Sequence, residues 1–287
     1  MHIDTTDGTK IRENNLDFFQ ADFPESIDIK ITNKCDRNCA YCHENSRSYG
    51  MHGDILSESF IDKLHPYTEL AIGGGNPLEH PDLIPFLQKC KDLKLIPSMT
   101  VHQYHFEEHF ALLKWLVDNG LIYGLGVSFV GIHNDFDFIE MIKQIPNAVI
   151  HVINGISSTV DGLERLAHNN LKLLILGYKE FRRGESHYEE HSATIDLHKE
   201  KLYNMLPRII KEEWFDVVSF DNLAVTQLNV KRLMSDSEWD EFYLGDDGSH
   251  TMYVDMVNRK FAKSSTSTDR YDLMDNIVDM FNKIRTS

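Results

Sequence analysis

Six times between residues 26 and 176 a short apolar run gives way to a segment of helical period, and that rhythm restricts the chain more than anything else in it. The first run, Ser26-Ile27-Asp28-Ile29-Lys30-Ile31, alternates with period two, the pattern of a strand with one buried face. Further strands are predicted at Leu70–Ile72, Pro97–His102, Leu125–Val130, Ala148–Ile153 and Leu171–Leu176. Helices are predicted from an N-cap signal at Ser57 and over Pro81–Leu93, Phe106–Val117, Phe136–Ile145 and Val160–Ala167. Strands alternating with helices imply a parallel sheet with the helices outside it. Six such units, rather than eight, predict an α/β fold of the partial, open (β/α)6 TIM-like barrel type. In parallel barrels the chemistry gathers at the C-terminal ends of the strands.

The rest of the chain differs in character. Residues 181–196, with Arg182-Arg183-Gly184 and Glu189-Glu190, read as a long polar loop, followed by a helix at about 197–213. A strand at Asp216–Phe220 and a helical stretch at Leu223–Leu233 are placed to complete the barrel wall. The turn signal Gly245-Asp246-Asp247-Gly248 precedes Thr251–Val257, read as a strand in a hairpin, and a last amphipathic helix is expected over Asp269–Ile284. The expected division is an N-terminal segment 1–25, a barrel 26–220, and a small α+β C-terminal extension 221–287.

Three of the four cysteines, Cys35, Cys39 and Cys42, sit in one short loop directly after the first strand. Spacing C-x3-C-x2-C brings three soft thiolates close together. The usual iron–sulfur cube takes four, so three would leave one iron open to another ligand. Zinc is the competing reading, with His43 or the distant Cys90 completing a tetrahedron, although no second ligand pair follows the loop. So few cysteines in 287 residues make a disulfide the weakest reading.

With 29 Lys and Arg against 45 Asp and Glu, the net charge is −16. Such a surface repels polyanions, so extended contact with nucleic acid is not expected. No apolar run reaches membrane-spanning length. The start Met1-His2-Ile3-Asp4-Thr5-Thr6-Asp7 is polar and acidic, unlike a secretory signal. The expectation is a cytoplasmic protein.

Lys34-Cys35-Asp36-Arg37-Asn38-Cys39-Ala40-Tyr41-Cys42 resembles the cluster loop of radical S-adenosylmethionine (SAM) enzymes. A second element, Ala71-Ile72-Gly73-Gly74-Gly75-Asn76-Pro77 followed by Leu78-Glu79-His80-Pro81, resembles that family's strand-ending Gly-Gly-Glu-Pro signature. It departs at Asn76, where the family usually has Glu to hold the amino group of SAM. An Asn carbonyl still accepts a hydrogen bond from an ammonium, but without charge assistance.

The resemblance implies a 4Fe-4S cluster on Cys35, Cys39 and Cys42, with SAM on the open iron. It implies reductive cleavage of SAM to a 5′-deoxyadenosyl radical that takes a hydrogen atom from a substrate, here expected to be a peptide or protein residue. It also implies a one-electron reductant of the flavodoxin or ferredoxin kind. No cysteine follows Cys90, so an auxiliary cluster in the tail is excluded.

Residues expected around SAM are Tyr41, the glycines Gly73, Gly74 and Gly75, Asn76, Ser128, Asn154 and Lys179. Glycines lack a Cβ, so backbone amides can approach a ligand closely. Ser128 is read as ending the fourth predicted strand, and Asn154 and Lys179 follow the fifth and sixth. Cys90, late in a helix, is expected to be inert. His105-Phe106-Glu107-Glu108-His109 matches H-x-x-E-H, a zinc-peptidase pattern. The alternative function is therefore a zinc-binding protein, either a peptidase or a non-catalytic cysteine-loop module. Phe106, Phe110 and Leu113 in that segment, however, form a core-facing stripe.

Overall fold

The computed structural model describes residues 2–4, 10–11, 21–131, 135–243 and 245–286. Two short strands, β1 (His2–Ile3) and β2 (Lys10–Ile11), pair antiparallel with each other. Most of the expected N-terminal segment lies outside the described residues.

Among the described residues the main sheet has ten strands. β3 (Ser26–Thr32), β4 (Glu69–Gly74), β5 (Ile96–His102), β6 (Gly124–Ser128), β7 (Ala148–Ile153), β8 (Lys172–Leu176) and β9 (Val217–Phe220) lie in chain order, each parallel to the next. Between them run α1 (Leu83–Asp92), α2 (Gln103–Glu108), α3 (Phe110–Asp118), α4 (Asp135–Ile142), α5 (Val160–Leu166) and α6 (Arg183–Lys211). This is the α/β partial barrel that the rhythm predicts.

The tail consists of α7 (Asn222–Gln227), α8 (Asp236–Phe242), β10 (Thr251–Asp255), β11 (Lys260–Ala262), β12 (Tyr271–Asp272) and α9 (Ile277–Arg285). The expected hairpin forms, with β10 and β11 antiparallel. What the sequence did not disclose is that β10 also pairs in parallel with β3, so the tail extends the same sheet at its other edge.

Strand alternation sorts the sheet into two faces. Ile27, Ile29 and Ile31 on β3 share the outer face with Leu70, Ile72, Met99, Val101, Leu125 and Val127, and pack against the helices in one core. Phe86, Phe106, Phe138 and Phe281 are fully or almost fully buried in it, each worth about 1.5–3 kcal/mol of burial. The opposite, concave face carries Asp28, Lys30, Ser98, Thr100, His102, Ser128 and His151. An all-parallel sheet normally buries apolar residues on both faces. A polar concave face is therefore a sign of function.

Several boundaries differ from the sequence reading for local reasons. Ser57 starts only a 3-10 turn at Ile61–Lys63, because the Asp54 carboxylate accepts the amides of Leu56 and Ser57 and holds them in a turn. The helix expected over Phe106–Val117 breaks at His109 (φ −112°), giving α2 and α3. The expected polar loop 181–196 is helical from Arg183 onward. A kink at His191 (φ −129°) puts the two halves of α6 out of phase, which hid the apolar stripe. Asn229 in the left-handed region divides the helical stretch Leu223–Leu233, and α8 follows behind a capping box from Ser235 and Glu238. The last helix begins at Ile277, not Asp269, because Tyr271 is taken up in β12 beside Phe261.

Buried charge locks the tail to the barrel. Lys30 on β3 is 2% exposed and lies 3.0 Å from Glu44 and 3.3 Å from Asp255 of β10. Tyr253 of β10 donates its hydroxyl to Glu44 at 2.9 Å. Burial pushes the Glu44 carboxyl up, but the neighbouring His43 ring, the Lys30 charge and the hydrogen bonds from Lys30 and Tyr253 outweigh it and hold Glu44 well below its usual range. Burial keeps His43 itself neutral at neutral pH, so Lys30 is the cation that keeps Glu44 ionised there. Removing one partner of such a group strands the others' charge.

Asp28 faces the concave side, where water reaches it although protein surrounds it. That confinement, together with the carboxylates of Glu69, Asp247 and Asp221, outweighs Lys179 and raises it to about 6.

Two outcomes are expected. Lys30→Met should lower the unfolding free energy by about 3–5 kcal/mol in urea titrations at neutral pH, and adding Glu44→Gln and Asp255→Asn should restore part of it. For Asp28 the raised pKa means that the folded state favours the protonated acid. Its stability contribution is full below 3.8 and is lost as pH rises through about 6. Asp28→Asn should therefore match the parent's melting temperature near pH 3.8 and exceed it above pH 6.

Candidate metal and cofactor site

The cysteine loop leaves the C-terminal end of β3 and closes on itself. Asn33 donates its amide to the Met51 carbonyl at 3.0 Å, and the Met51 amide donates to Asn33 Oδ1 at 2.6 Å. Cys35 N–H reaches the Arg47 carbonyl, and Cys42 N–H reaches that of Cys39. Asn38 and Asn45 turn the chain in the left-handed region, which Asn tolerates better than most residues. Cys35, Cys39 and Cys42 are half-buried free thiols on this arc.

Neighbouring elements brace the loop from three sides. His105 of α2 sits 2.7 Å from Asp36 through Nε2, and the Arg37 guanidinium lies 3.9 Å over the Tyr104 ring. The amides of Gly75 and Asn76 donate to the carbonyls of Thr32 and Lys34, both at 2.7 Å. From the start of α6, Arg182 donates to the Glu44 carbonyl at 3.0 Å and Arg183 to that of Ser46 at 2.6 Å.

These residues fit an iron–sulfur cluster. Burial, then the charges of Cys39, Asp36 and Cys42, pushes Cys35 up to about 11. Burial and Cys42 likewise raise Cys39, with Arg183 opposing. Thiols raised in this way are stabilised as thiolates by a metal. Among the described residues no three His, Cys, Asp or Glu side chains close around a single ion. A cubane takes each thiolate on a different iron, so its ligands need not converge on one point.

The glycines divide into two groups. A Cβ on Gly73 would meet nothing within 4 Å, so this residue leaves open space on the concave face. A Cβ on Gly74 (φ +110°) or Gly75 would collide with the carbonyl of Thr32 or Lys34. Those two let β4 pass tightly under the cysteine loop. Asn76 is 3% exposed, and its Oδ1 accepts the Leu78 amide at 3.2 Å, capping the turn Pro77–Glu79.

Of the remaining expected residues, Tyr41 lies in the cysteine loop, Ser128 ends β6, and Asn154 and Lys179 follow β7 and β8. Tyr41 lies beside Cys39, with its ring 5.8 Å from His187 of α6. Ser128 ends β6 in register with His102 and His151. Burial keeps both histidines neutral, each lowered to about 4. Asn154 is fully buried; its backbone amide is spent on Leu176 and its Nδ2 donates to Gln227 at 3.1 Å. Lys179 donates to Ser265 at 2.9 Å, rather than to a carboxylate, and lies within electrostatic reach of Asp28 and His43.

The zinc readings find little geometric support. Cys90 is buried in α1 within the outer core, with its thiol pushed up to about 12, so it stands apart from the loop. His105 is 2% exposed and held by Asp36, whereas His109 lies at the helix break, half exposed beside Glu108. Phe106 and Leu113 are fully buried, as the stripe predicted.

Sequence reasoning missed Lys30, Glu44, Tyr253, Asp36, His105 and Arg183 as supports of the loop. Only Lys30 had a visible signal, a charge placed on an inward position between isoleucines.

No protein-family model matches the chain. Over 96 residues, 31% of the chain, it is 30% identical to a probable GTP 3′,8-cyclase of Methanococcus maripaludis strain C5, covering 32% of that protein. Over 144 residues, 47% of the chain, it is 29% identical to the probable GTP 3′,8-cyclase of Methanocaldococcus jannaschii, covering 45% of it. The chain thus spans less than half the length of these curated relatives. Among solved structures it is similar to Streptococcus suis SuiB bound to the precursor peptide SuiA, with a TM-score of 0.59 and 14% identity over 91% of this chain and 65% of that one. SuiB bound to S-adenosylmethionine gives 0.55 and 15%, over 88% and 63%. At such identity the structural likeness shows the fold alone. Cysteine loop, glycine-ended second strand, parallel partial barrel and curated relatives together support a radical SAM superfamily enzyme.

Proposed function

We propose that this protein binds one 4Fe-4S cluster through Cys35, Cys39 and Cys42 and uses SAM to take a hydrogen atom from a peptide or protein residue. The observation that carries the reading is the braced loop, with three half-buried thiols held at the strand ends beside the open space over Gly73. When bound, the cluster and SAM supply a 5′-deoxyadenosyl radical, and the source of the electron is a one-electron carrier of the flavodoxin or ferredoxin kind.

The chain's own residues supply position and environment. Gly73 leaves room for a ligand against the strand backbone, and Asn76, whose Oδ1 keeps a second lone pair beyond the one that takes the Leu78 amide, is assigned to the SAM ammonium. Tyr41, Ser128, Asn154 and Lys179 surround the same strand ends. His102 and His151 are neutral at pH 7 and so add no charge to the concave face.

The peptide reading draws on the similarity to SuiB and on charge. The concave interior around Asp28 sets one cation, Lys179, against the carboxylates of Asp28, Glu69, Asp247 and Asp221. Such an interior disfavours a polyphosphate and accepts a neutral or basic side chain. The curated relatives carry the second reading, a nucleotide substrate, and the same assay tests both.

Anaerobic reconstitution should load four irons and four sulfides per chain and give SAM-dependent release of 5′-deoxyadenosine under reduction. Alanine at any of the three cysteines should abolish both. Zinc without iron after anaerobic isolation would overturn the reading. Mass spectrometry with peptides encoded beside the gene should detect a SAM-dependent mass change, whereas turnover of GTP alone would replace the peptide by the nucleotide. Asn76→Glu should tighten SAM binding on the order of fivefold through charge assistance, measured by calorimetry on the reconstituted protein. Complete loss of binding would contradict the role given to Asn76.

A further inference from the structure

Cations gather around the cysteine loop of a chain whose net charge is −16, and most of them are neutralised. Lys30 faces Glu44 and Asp255, Lys34 faces Glu79 at 3.4 Å, Arg37 pairs with Asp36, and Arg182 lies 3.4 Å from Glu44. Arg47 and Arg183 differ. Among the described residues neither has a carboxylate partner, and both donate to the same neutral atom, Asn38 Oδ1, Arg183 at 2.7 Å. Asn38 lies between Cys35 and Cys39. Two guanidiniums on one amide oxygen repel each other unless an anion stands nearby.

Burial sharpens the argument. Arg183 Nε and the adjacent Ser46 Oγ are buried without a hydrogen-bond partner, and Ser46 is 2% exposed. An unsatisfied buried donor costs about 1–3 kcal/mol. Arg183 also opens α6, where the helix dipole favours anions and disfavours cations. Its place is nevertheless enforced. A Cβ on Gly184 would strike the Lys179 carbonyl, and the Tyr178 hydroxyl donates to the Gly184 carbonyl at 2.7 Å. The local chain thus holds a cation where nothing in its immediate surroundings offsets it. Three thiolates and their cluster are the anion that would.

We propose that Arg47 and Arg183, joined on Asn38, form a cationic clamp whose uncompensated charge stabilises the reduced, more negative state of the cluster. This rests on the cluster assignment above. Reduction potentials of such clusters depend on net charge and hydrogen bonding around the sulfurs. The clamp is a positioning and tuning device, not a catalytic group.

The test compares Arg183→Gln, Arg183→Lys, Arg47→Gln and Asn38→Asp in the anaerobically reconstituted full chain. Iron content and the spectrum of the dithionite-reduced cluster establish loading, and a redox titration then gives the midpoint potential. Gln retains hydrogen-bond donors without charge, so each Gln variant should shift the oxidised-to-reduced ratio at fixed potential about tenfold toward oxidised, ~59 mV more negative. Asn38→Asp, which keeps both arginines but places a carboxylate between them, should shift it the same way. Arg183→Lys should hold the parent value. Full loading with unchanged potentials in the Gln and Asp variants would overturn the clamp and leave the cluster reading intact. An equal shift in Arg183→Lys would overturn it too, by assigning the effect to lost geometry. Failure of the parent chain to load iron would sink the cluster reading, and the clamp with it.

Discussion

One buried ammonium holds the architecture of the site together. Lys30, inside the sheet at β3, meets Glu44 from the exit of the cysteine loop and Asp255 from the far end of the chain. Glu44 in turn takes hydrogen bonds from Tyr253 and Arg182. The barrel's first strand, the loop that follows it, the tail strand β10 and the start of α6 thus share one charge network. Ion groups of this kind add little net stability over a well-packed apolar cluster. Their effect is registry: a slipped β10 or a shifted loop would leave a buried charge without its counterpart.

The same economy of space governs the loop itself. β4 runs so close beneath it that Gly74 and Gly75 have no room for a side chain, and the amides of Gly75 and Asn76 are spent on the loop's carbonyls. Only Gly73 faces open space. The glycine run therefore serves two purposes: two residues fix the height of the loop above the sheet, and the third leaves room for a ligand. His105 belongs to the same support system. Its motif resembles a zinc peptidase's, yet its ring is committed to Asp36.

Order and type of the elements were largely legible, because burial of one face forces a period of two on strands and about 3.6 on helices. β7 was read to the residue, and the outer core followed from alternation. The polar tract 181–196 reads as a loop because a kink at His191 breaks the phase of α6. Tyr271 was placed in a helix because a two-residue edge strand leaves no periodic trace.

What the sequence determined by itself is local: three thiols within eight residues, glycines at a strand end, and the alternation that makes a parallel sheet. Each depends on neighbours a few residues apart, so the spacing carries the information. Only the tertiary structure decided which charges meet. Lys30 and Asp255 are 225 residues apart, Arg183 reaches Asn38 across 145, and β10 pairs with β3 although the whole barrel lies between them in the chain. Such contacts leave no periodic signal in a single chain, since any of many distant partners would satisfy the same side chain until packing selects one.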